Sequence, residues 1–429
     1  MLEDTLERRT APALSLLAEH GRYRRAISTF PSLTPVCLSA LVTGAHPDVH
    51  EIPHLVWYHR GEQRLVEYGS SFGAVRAAGT KQSLIDTVYE LNASHLGRNA
   101  VTVYEALEDA GLTAAAVNIT CYRGRTEHRP TVPFLTRPAR GPSRLFFYNL
   151  FESDVTGAPL AVRNRPRGTI DAYAAAVGRW LVTRDGFDFL VFYLSDYDYA
   201  SHAVGPDASH NVLQGALARC DDAVGGLIEA AGGADQFLER YAVILCADHG
   251  QTKVDQVARL QDTFPGAIVT ASNRAGMVYA DGDEAQRVAQ LAARLDGKPG
   301  VDVVLYREGD EAVARRDGEE LRFTPDGSSG DAAILDHPQG LERAWAALAN
   351  PNAGELIVSA AAGWEFADLA GRHHAGGGSH GSLLVGDSEV PMLAVGLESL
   401  PSSIVEVMPA ALEHFGVALP AYARPPARA

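Results

Sequence analysis

The sequence predicts an α/β fold, with a doubly wound, mostly parallel sheet between layers of helices. Helical and strand segments alternate along the chain, short apolar runs rich in β-branched residues are typical of buried strands, and polar residues directly follow those runs. With 429 residues, 46% of them hydrophobic, the chain is long enough to bury a large core. We therefore expect one large domain over residues 1–429, with a cap-like insertion over residues 262–370.

Two buried strands separated by a helix form the clearest unit of this fold. The run FDFLVFYLS predicts the first strand, and Asp198 and His202 follow it. The run YAVILCA predicts the second strand, which ends directly in Asp248 and His249. A helix is expected between them over residues 208–231. Because loops at the carboxyl ends of neighbouring parallel strands converge on one crevice, these side chains are expected to meet.

A threonine stands at the predicted start of a short helix. The extended segment ISTFP precedes Thr34, Pro35 falls in the first turn, and Gly44 is the expected end. A hydroxyl in this place would lie beside unpaired backbone N–H groups and the positive end of the helix dipole, which favour a phosphate. An ordinary N-cap threonine is the alternative, since such caps are common.

His380 lies in the run GGGSHGS, whose glycines would allow the backbone to approach a metal ion closely. A flexible turn is the alternative for this run, and a hydrogen-bonded surface pair is the alternative for Asp198 and His202. His373 and His374 precede the run and could replace His380 as ligands. The specific signal is the ordered combination of hydroxyl, carboxylates and imidazoles, which two-metal phosphoryl transfer requires.

These motifs resemble those of the alkaline phosphatase superfamily, and within it the type I phosphodiesterase/nucleotide pyrophosphatase family, over nearly the whole chain. The resemblance implies metal-dependent hydrolysis of phosphodiester or nucleotide pyrophosphate bonds through a phospho-threonine intermediate on Thr34. Sulfatases of the superfamily need a Cys or Ser in a C/S-x-P-x-R frame, which TPVCLSA lacks. Sulfate-ester hydrolysis is therefore disfavoured.

The resemblance also implies two divalent metal ions as cofactors. One would be held by Asp198, His202 and His380, and the other by Asp248, His249 and the Thr34 oxygen. Zinc is expected rather than magnesium, because imidazoles bind a borderline-soft ion better than a hard one. Manganese and iron stay open.

The sequence also departs from the family pattern. Family members begin with a buried strand ending in Asp-Gly, whose Asp completes the second metal site, and here that position would fall before Met1. The first residues predict instead the helix that follows this strand, so the first strand of the sheet is expected to be absent. Glu51 replaces the glycine of the family's His-Gly-Ile. Leu55 or Val56 stands at the position of the family's phosphate-binding Asn. A pseudoenzyme that binds an anionic ligand without turnover is therefore the alternative function.

Substrate contacts are expected from two further segments. Trp57 and Tyr58 could stack on a flat leaving group, although core packing is the alternative for both. Arg123 and Arg125 belong to an arginine-rich stretch that could bind an anionic substrate, and a solvated loop is the alternative. The expected partner is a small-molecule phosphate ester. The residues do not distinguish a nucleotide from a lipid head group, or a diester from a monoester.

Composition argues against several other function classes. The net charge of -16 disfavours an extended nucleic-acid surface, because phosphates would be repelled. No apolar run reaches about 18 residues, so no membrane span is expected. The four cysteines show no paired spacing, and the amino terminus lacks a secretory pattern. A cytoplasmic location is expected, unless an export signal lies upstream of Met1, and the oligomeric state is unreadable.

Overall fold

The secondary structure alternates between helices and strands along most of the chain. The computed structural model describes residues 2–132, 136–153, 169–207, 209–264, 266–280 and 287–426. The strands are β1 (Arg22–Ile27), β2 (Val56–His59), β3 (Arg64–Glu67), β4 (Ala114–Val117), β5 (Thr126–His128), β6 (Ala139–Gly141), β7 (Arg144–Phe147), β8 (Phe151–Glu152), β9 (Phe189–Phe192), β10 (Val243–Cys246), β11 (Thr252–Lys253), β12 (Gln256–Ala258), β13 (Ile268–Ser272), β14 (Ala275–Tyr279), β15 (Val301–Glu308), β16 (Glu311–Arg316), β17 (Glu319–Thr324), β18 (Gly327–Gly330), β19 (Leu356–Ala360), β20 (Trp364–Phe366), β21 (Gly378–Ser379) and β22 (Glu389–Val395).

The helices cover the sheets and form many of the connections between strands. They are α1 (Leu2–Arg8), α2 (Pro12–His20), α3 (Thr34–Thr43), α4 (Pro47–His50), α5 (Phe72–Ala78), α6 (Thr80–Ile85), α7 (Val103–Asp109), α8 (Ile170–Trp180), α9 (Asp196–Val204), α10 (Asn211–Ala230), α11 (Ala234–Arg240), α12 (Val288–Leu295), α13 (Gly340–Ala349), α14 (Val385–Ser388) and α15 (Val407–His414). Within the described ranges, no helix is long and apolar enough to cross a membrane.

Two sheets position the candidate site. The first has the order β8-β7-β4-β9, in which β7, β4 and β9 run parallel. The second has the order β1-β22-β10, in which β22 runs antiparallel to both neighbours. Apolar side chains of α2 and α10 pack on one face of the second sheet, and those of α3 pack on the other face. This layering is the predicted α/β architecture, with helices on both sides of the strands.

A cavity of about 1020 Å³ separates β9 from β10. Both strands line it, together with apolar side chains from the helices on either side. Every residue of the two strands is only partly buried, although both strands are apolar. Central strands of an α/β sheet are normally buried on both faces. The gap therefore separates the edge strands of the two sheets.

A third, antiparallel sheet lies within the predicted insertion of residues 262–370. Its order is β13-β14-β19-β15-β16-β17-β18. The hairpin between β16 and β17 turns at Asp317 and Gly318, whose φ angles of 52° and 87° are those that a tight two-residue turn requires. The sequence signal for this hairpin was the Asp-Gly pair. One face of this sheet packs with α12 in a second apolar core, and the other face contributes to the large core shared with the rest of the chain.

The amino-terminal segment differs from the single helix that the sequence predicts. It forms two helices, because α1 ends at Arg8 and α2 begins at Pro12. A proline is tolerated in the first turn of a helix, where its missing N–H would have no partner anyway. The segment that follows is β1, which shares only its last residue, Ile27, with the run ISTFP that the sequence predicts to be extended.

Candidate active site

The six residues expected to form the site lie together. The Thr34 hydroxyl is 3.1 Å from Nε2 of His249, and that imidazole stacks on His380 with ring centroids 3.5 Å apart. The carboxylate of Asp248 lies 3.5 Å from Nε2 of His249. The remaining two residues, Asp198 and His202, adjoin His380. Nε2 of His380 lies 4.0 Å from a carboxylate oxygen of Asp198. Ligands from distant parts of the sequence therefore share one place in the fold.

Asp198, His202 and His380 form a candidate metal position, which we call the first position. One ligand atom from each lies within 4.8 Å of the others, which is close enough to share an ion. Asp198 and His202 are four residues apart on α9, so both face the same side of one helix. The sequence pattern predicts that both residues follow a strand, but it does not predict this helix. Acidic residues in its first turn favour the helix because they offset the positive end of its dipole.

The three imidazoles are oriented in the same way. The Nδ1 atoms of His202, His249 and His380 hydrogen-bond to the backbone carbonyls of Gly378, Gly250 and Ser32, over 2.9, 3.0 and 2.8 Å respectively. Since a carbonyl only accepts, each Nδ1 carries the proton, and each Nε2 is left with a lone pair. Metal-binding histidines have this arrangement, in which the outer nitrogen fixes the tautomer and the ring orientation.

The charges at the site favour a cation. Burial, together with the neighbouring His249 and His202, lowers the pKa of His380 well below its usual value. Burial also lowers the pKa of His202, so both rings are neutral, as metal ligands must be. For His249, burial opposes the charged form, but the carboxylates of Asp248 and Asp198 outweigh it and raise the pKa. The site thus combines neutral imidazoles with carboxylates that attract positive charge.

The second metal position is less complete. It consists of Asp248, His249 and the Thr34 oxygen, and Oδ2 of Asp248 is buried without a hydrogen-bond partner. Burial raises the pKa of this carboxyl group. A buried carboxylate oxygen without a partner is costly, and a bound cation would offset that cost. Among the residues described, however, the first position is the only group of three or more His, Cys, Asp or Glu side chains close enough to share an ion.

Thr34 begins α3, as the sequence predicts. Leu33 before it is extended, Pro35 lies in the first turn, and Gly44 ends the helix with a φ of 64° and donates its N–H to Ala40. Because Nδ1 of His249 is protonated, Nε2 accepts the hydrogen bond from the Thr34 hydroxyl. The hydroxyl therefore sits at a helix amino terminus, beside an imidazole and close to two carboxylates. This setting suits a nucleophile that meets a phosphate.

The glycine run before His380 serves a packing purpose. A Cβ atom at Gly377 would lie 2.1 Å from the carbonyl oxygen of His202, and one at Gly378 would lie 2.5 Å from Oε1 of Gln251. Side chains at these positions would therefore push the loop away from α9. The expected close approach of the backbone is present, but it is to the helix that carries Asp198 and His202.

Sequence reasoning missed several residues that support the ligands. The amide of Asn273 donates to Nε2 of His380 over 3.1 Å, and the amide of Gln251 donates to Asp198. Asn273 has a φ of 57° and forms the tight turn between β13 and β14, so an Asn between two strand-like runs was its one available signal. The neighbouring Arg274 forms a fully buried ion pair with Asp387, with contacts of 2.8 and 2.9 Å.

The four expected substrate contacts have other surroundings in the structure. Trp57 is buried in the core, and Tyr58 packs edge-on against Tyr279. Arg123 bonds to Glu105 and to backbone carbonyls, and Arg125 pairs with Glu105 and Asp109. Packing and ion pairing thus account for all four. Their role as substrate contacts remains a sequence prediction, and we do not include them in the site.

Comparison with known proteins agrees with this geometry. The profile of the type I phosphodiesterase/nucleotide pyrophosphatase family matches residues 1–383. No curated protein matches the chain significantly. Among solved structures, murine ectonucleotide pyrophosphatase/phosphodiesterase 5 is 13% identical, with a TM-score of 0.62 over 98% of this chain and 92% of that one. The same murine protein has been solved as an inactive variant in complex with AMP.

A bacterial structure is similar to the same extent. Phosphonoacetate hydrolase from Sinorhizobium meliloti 1021, in complex with phosphonoformate, is 18% identical, with a TM-score of 0.60 over 95% of this chain and 90% of that one. At these identities the structural likeness establishes the fold alone. It is the mixed α/β fold of the alkaline phosphatase superfamily, as the sequence predicts.

Proposed function

The chain belongs to the type I phosphodiesterase/nucleotide pyrophosphatase family, and we propose that it hydrolyses phosphodiester or nucleotide pyrophosphate bonds through a phospho-threonine intermediate on Thr34. The family and the structural neighbours support a hydrolase of this general type. The observation that carries the finer proposal is the Thr34 hydroxyl, which lies at the amino end of α3 and 3.1 Å from Nε2 of His249.

The proposed reaction has two displacements at phosphorus. In the first, the Thr34 oxygen forms a bond to phosphorus, and the bond from phosphorus to the leaving-group oxygen breaks. In the second, water attacks the same phosphorus, and the bond to the Thr34 oxygen breaks, which restores the hydroxyl. The amino terminus of α3 would stabilise the phosphate charge in both steps, because its dipole and unpaired N–H groups face negative charge.

Two divalent metal ions, most readily zinc, fit the residues present. Asp198, His202 and His380 would hold one ion, and Asp248, His249 and Thr34 would hold the other. A bound divalent ion would polarise phosphoryl oxygens and offset the charge that develops on them. The anchored Nδ1 atoms and the unpartnered oxygen of Asp248 support this assignment.

The proposed substrate is a small-molecule phosphate ester or a nucleotide. The AMP complex of the murine neighbour is consistent with a nucleotide, although it concerns that protein. The pseudoenzyme alternative rests on Glu51 and on the incomplete second metal position, and the comparisons add nothing in its favour. Turnover of a phosphodiester by this chain would exclude it.

The test is the Thr34→Ala variant, assayed with zinc and bis(4-nitrophenyl) phosphate. We expect its turnover to fall to that of the metal-free protein, because the variant has no oxygen to attack phosphorus. Thr43→Ala is the matched control, since Thr43 lies in the same helix and its hydroxyl contacts only a backbone carbonyl. Mass spectrometry of acid-quenched wild-type protein should find one 4-nitrophenyl phosphoryl group on the peptide containing Thr34, because the first displacement releases only one of the two nitrophenols. Equal turnover in wild type and Thr34→Ala would eliminate the proposed nucleophile.

A further inference from the structure

Four histidine rings form a series of neighbours, the first of which contacts the proposed nucleophile. His249 contacts Thr34, and its ring centroid is 3.5 Å from that of His380. The centroid of His380 is 5.1 Å from that of His202, which in turn is 4.2 Å from that of His374. The first three rings belong to the two metal positions. The fourth ring, His374, has no assigned role.

His374 is held as firmly as the ring beside it. Its Nδ1 donates to a carboxylate oxygen of Glu365 over 3.0 Å, and its backbone N–H donates to the other oxygen of the same carboxylate. Glu365 is fully buried in β20. The bond to Nδ1 fixes the ring, and Nε2 is free to bond to a ligand. His374 does not join the group of atoms close enough to share an ion in the first position.

A cavity of about 550 Å³ adjoins this ring. His202 and His374 both line it, together with Tyr199, His373 and the backbone of the glycine loop. Pockets for small molecules measure roughly 300–1,000 Å³, so this cavity has room for a substantial organic group. The Tyr199 side chain is 61% exposed, and neither lysine nor arginine lines the cavity. Exposed rings and backbone surround it, which suits a flat, uncharged group.

We propose that this cavity receives the leaving group of the phosphate ester, and that His374 binds a polar substituent on an aromatic or heteroaromatic leaving group. The inference rests on the proposed function. In an in-line displacement the attacking and leaving oxygens lie on opposite sides of phosphorus. Thr34 contacts His249 of the second position, whereas the cavity adjoins His202 of the first position. With Thr34 attacking from the second position, a phosphate held between the two positions would have its leaving group on the side of the first, where the cavity lies.

The experiment compares two phosphodiesters that differ only in the leaving group. One carries 4-acetamidophenol, whose amide N–H can donate to the Nε2 lone pair of His374, and the other carries a fluorinated phenol of similar acidity that has no hydrogen-bond donor. The variant is His374→Phe, which keeps a ring against His202 but removes both nitrogens. We expect kcat/KM for the acetamidophenyl ester to fall about tenfold and that for the fluorophenyl ester to change less than about twofold, as for the loss of one hydrogen bond. His20→Phe, an exposed position on α2, is the control.

A binding measurement separates failure of this inference from failure of the proposed function. The zinc-loaded protein is titrated by calorimetry with a 4-acetamidobenzyl phosphonate, which carries an N–H donor and in which a P–C bond prevents hydrolysis. Binding that weakens about tenfold in His374→Phe supports the subsite even if neither ester is turned over. Equal losses of kcat/KM on both esters, or unchanged phosphonate binding, would overturn it, because a ring that merely supports His202 would not distinguish leaving groups.

Discussion

The two candidate metal positions differ in how many of their ligands are held in place by other residues. The first takes two ligands from one short helix, α9, and a third from the loop after β21, and the amides of Gln251 and Asn273 donate to two of the three. The second has one carboxylate, one imidazole and a hydroxyl, and one oxygen of its carboxylate is buried without a partner. A preorganised position binds an ion without rearrangement, whereas an incomplete one depends on what else reaches it.

The difference follows from where each position lies relative to the gap in the sheet. Asp248 and His249 follow β10 directly, and both line the cavity between β9 and β10. Asp198 also lines it, but a helix and a hydrogen-bonded amide fix that side chain. The gap therefore affects the side chains of the second position more than those of the first. Among the described residues, the first position has three side chains of the metal-binding type, whereas the second has two and a hydroxyl.

The largest effect is expected when a ligand of the first position is removed. Calorimetric titration with zinc should show a tight and a weak binding phase in the wild type. His202→Ala should abolish the tight phase, because only Asp198 and His380 remain. His249→Ala should abolish the weak phase and leave the tight one. A single loss of both phases in either variant would show that the positions are not separate.

A smaller but still large effect is expected when the gap is filled. An apolar strand of about six residues, ending in Asp-Gly and joined ahead of Leu2, should occupy the space between β9 and β10. Its Asp would reach the second position and tighten the weak phase about a hundredfold, at the upper limit of what one supporting partner of a metal ligand contributes. The same strand ending in Asn-Gly is the control. Each apolar side chain that it buries should contribute about 1.5–3 kcal/mol, so both versions should raise the Tm.

An unchanged Tm in both fusions would show that the cavity does not accept a strand. A raised Tm with no change in zinc binding would instead show that the strand enters but that its last residue does not reach Asp248. The two readouts therefore test the space and the ligand separately.

The sequence predicted which candidate site residues lie together, because they follow strong apolar runs at short distances. Asp248 and His249 come directly after β10, and Thr34 is marked by Pro35 and by the glycine that ends its helix. The helix α9 was missed because its nine residues carry a polar, weakly amphipathic pattern. Tertiary contacts determine such a short helix more than its own propensity does.

The supporting residues could not be predicted for a different reason. Asn273 lies 107 residues from His380, the histidine that it contacts. Glu365 precedes His374 by only nine residues, but no regular helix or strand links the two. Their positions depend on how the sheet of the insertion packs against the loop of His380, and no local pattern records that packing. The sequence predicts that a strand is absent, but it does not predict the cavity between β9 and β10 or its volume.

The smallest effect is expected from the support of a first-position ligand. Asn273→Ala removes the amide that donates to Nε2 of His380. We expect the tight zinc phase to strengthen about tenfold in affinity, because the amide occupies the Nε2 lone pair that a bound ion would need. Thr270→Ala is the control, since Thr270 lies on β13, the strand that leads into the turn of Asn273. A weakened tight phase would show that the amide orients the ring, and a strengthened one that it competes with the ion for the lone pair. No change at all would show that the contact has no influence on the first position.

The cavity also makes the molecule sensitive to hydrostatic pressure. Internal voids are eliminated when a chain unfolds, so a protein with a large void loses system volume on unfolding, and compression shifts the equilibrium toward the unfolded state. In this protein a pocket of about 1020 Å³ reaches between β9 and β10, two strands that lead toward candidate metal ligands. Compression would therefore act first on the centre of the sheet, and water forced into that space would arrive beside Asp248 before the outer helices gave way.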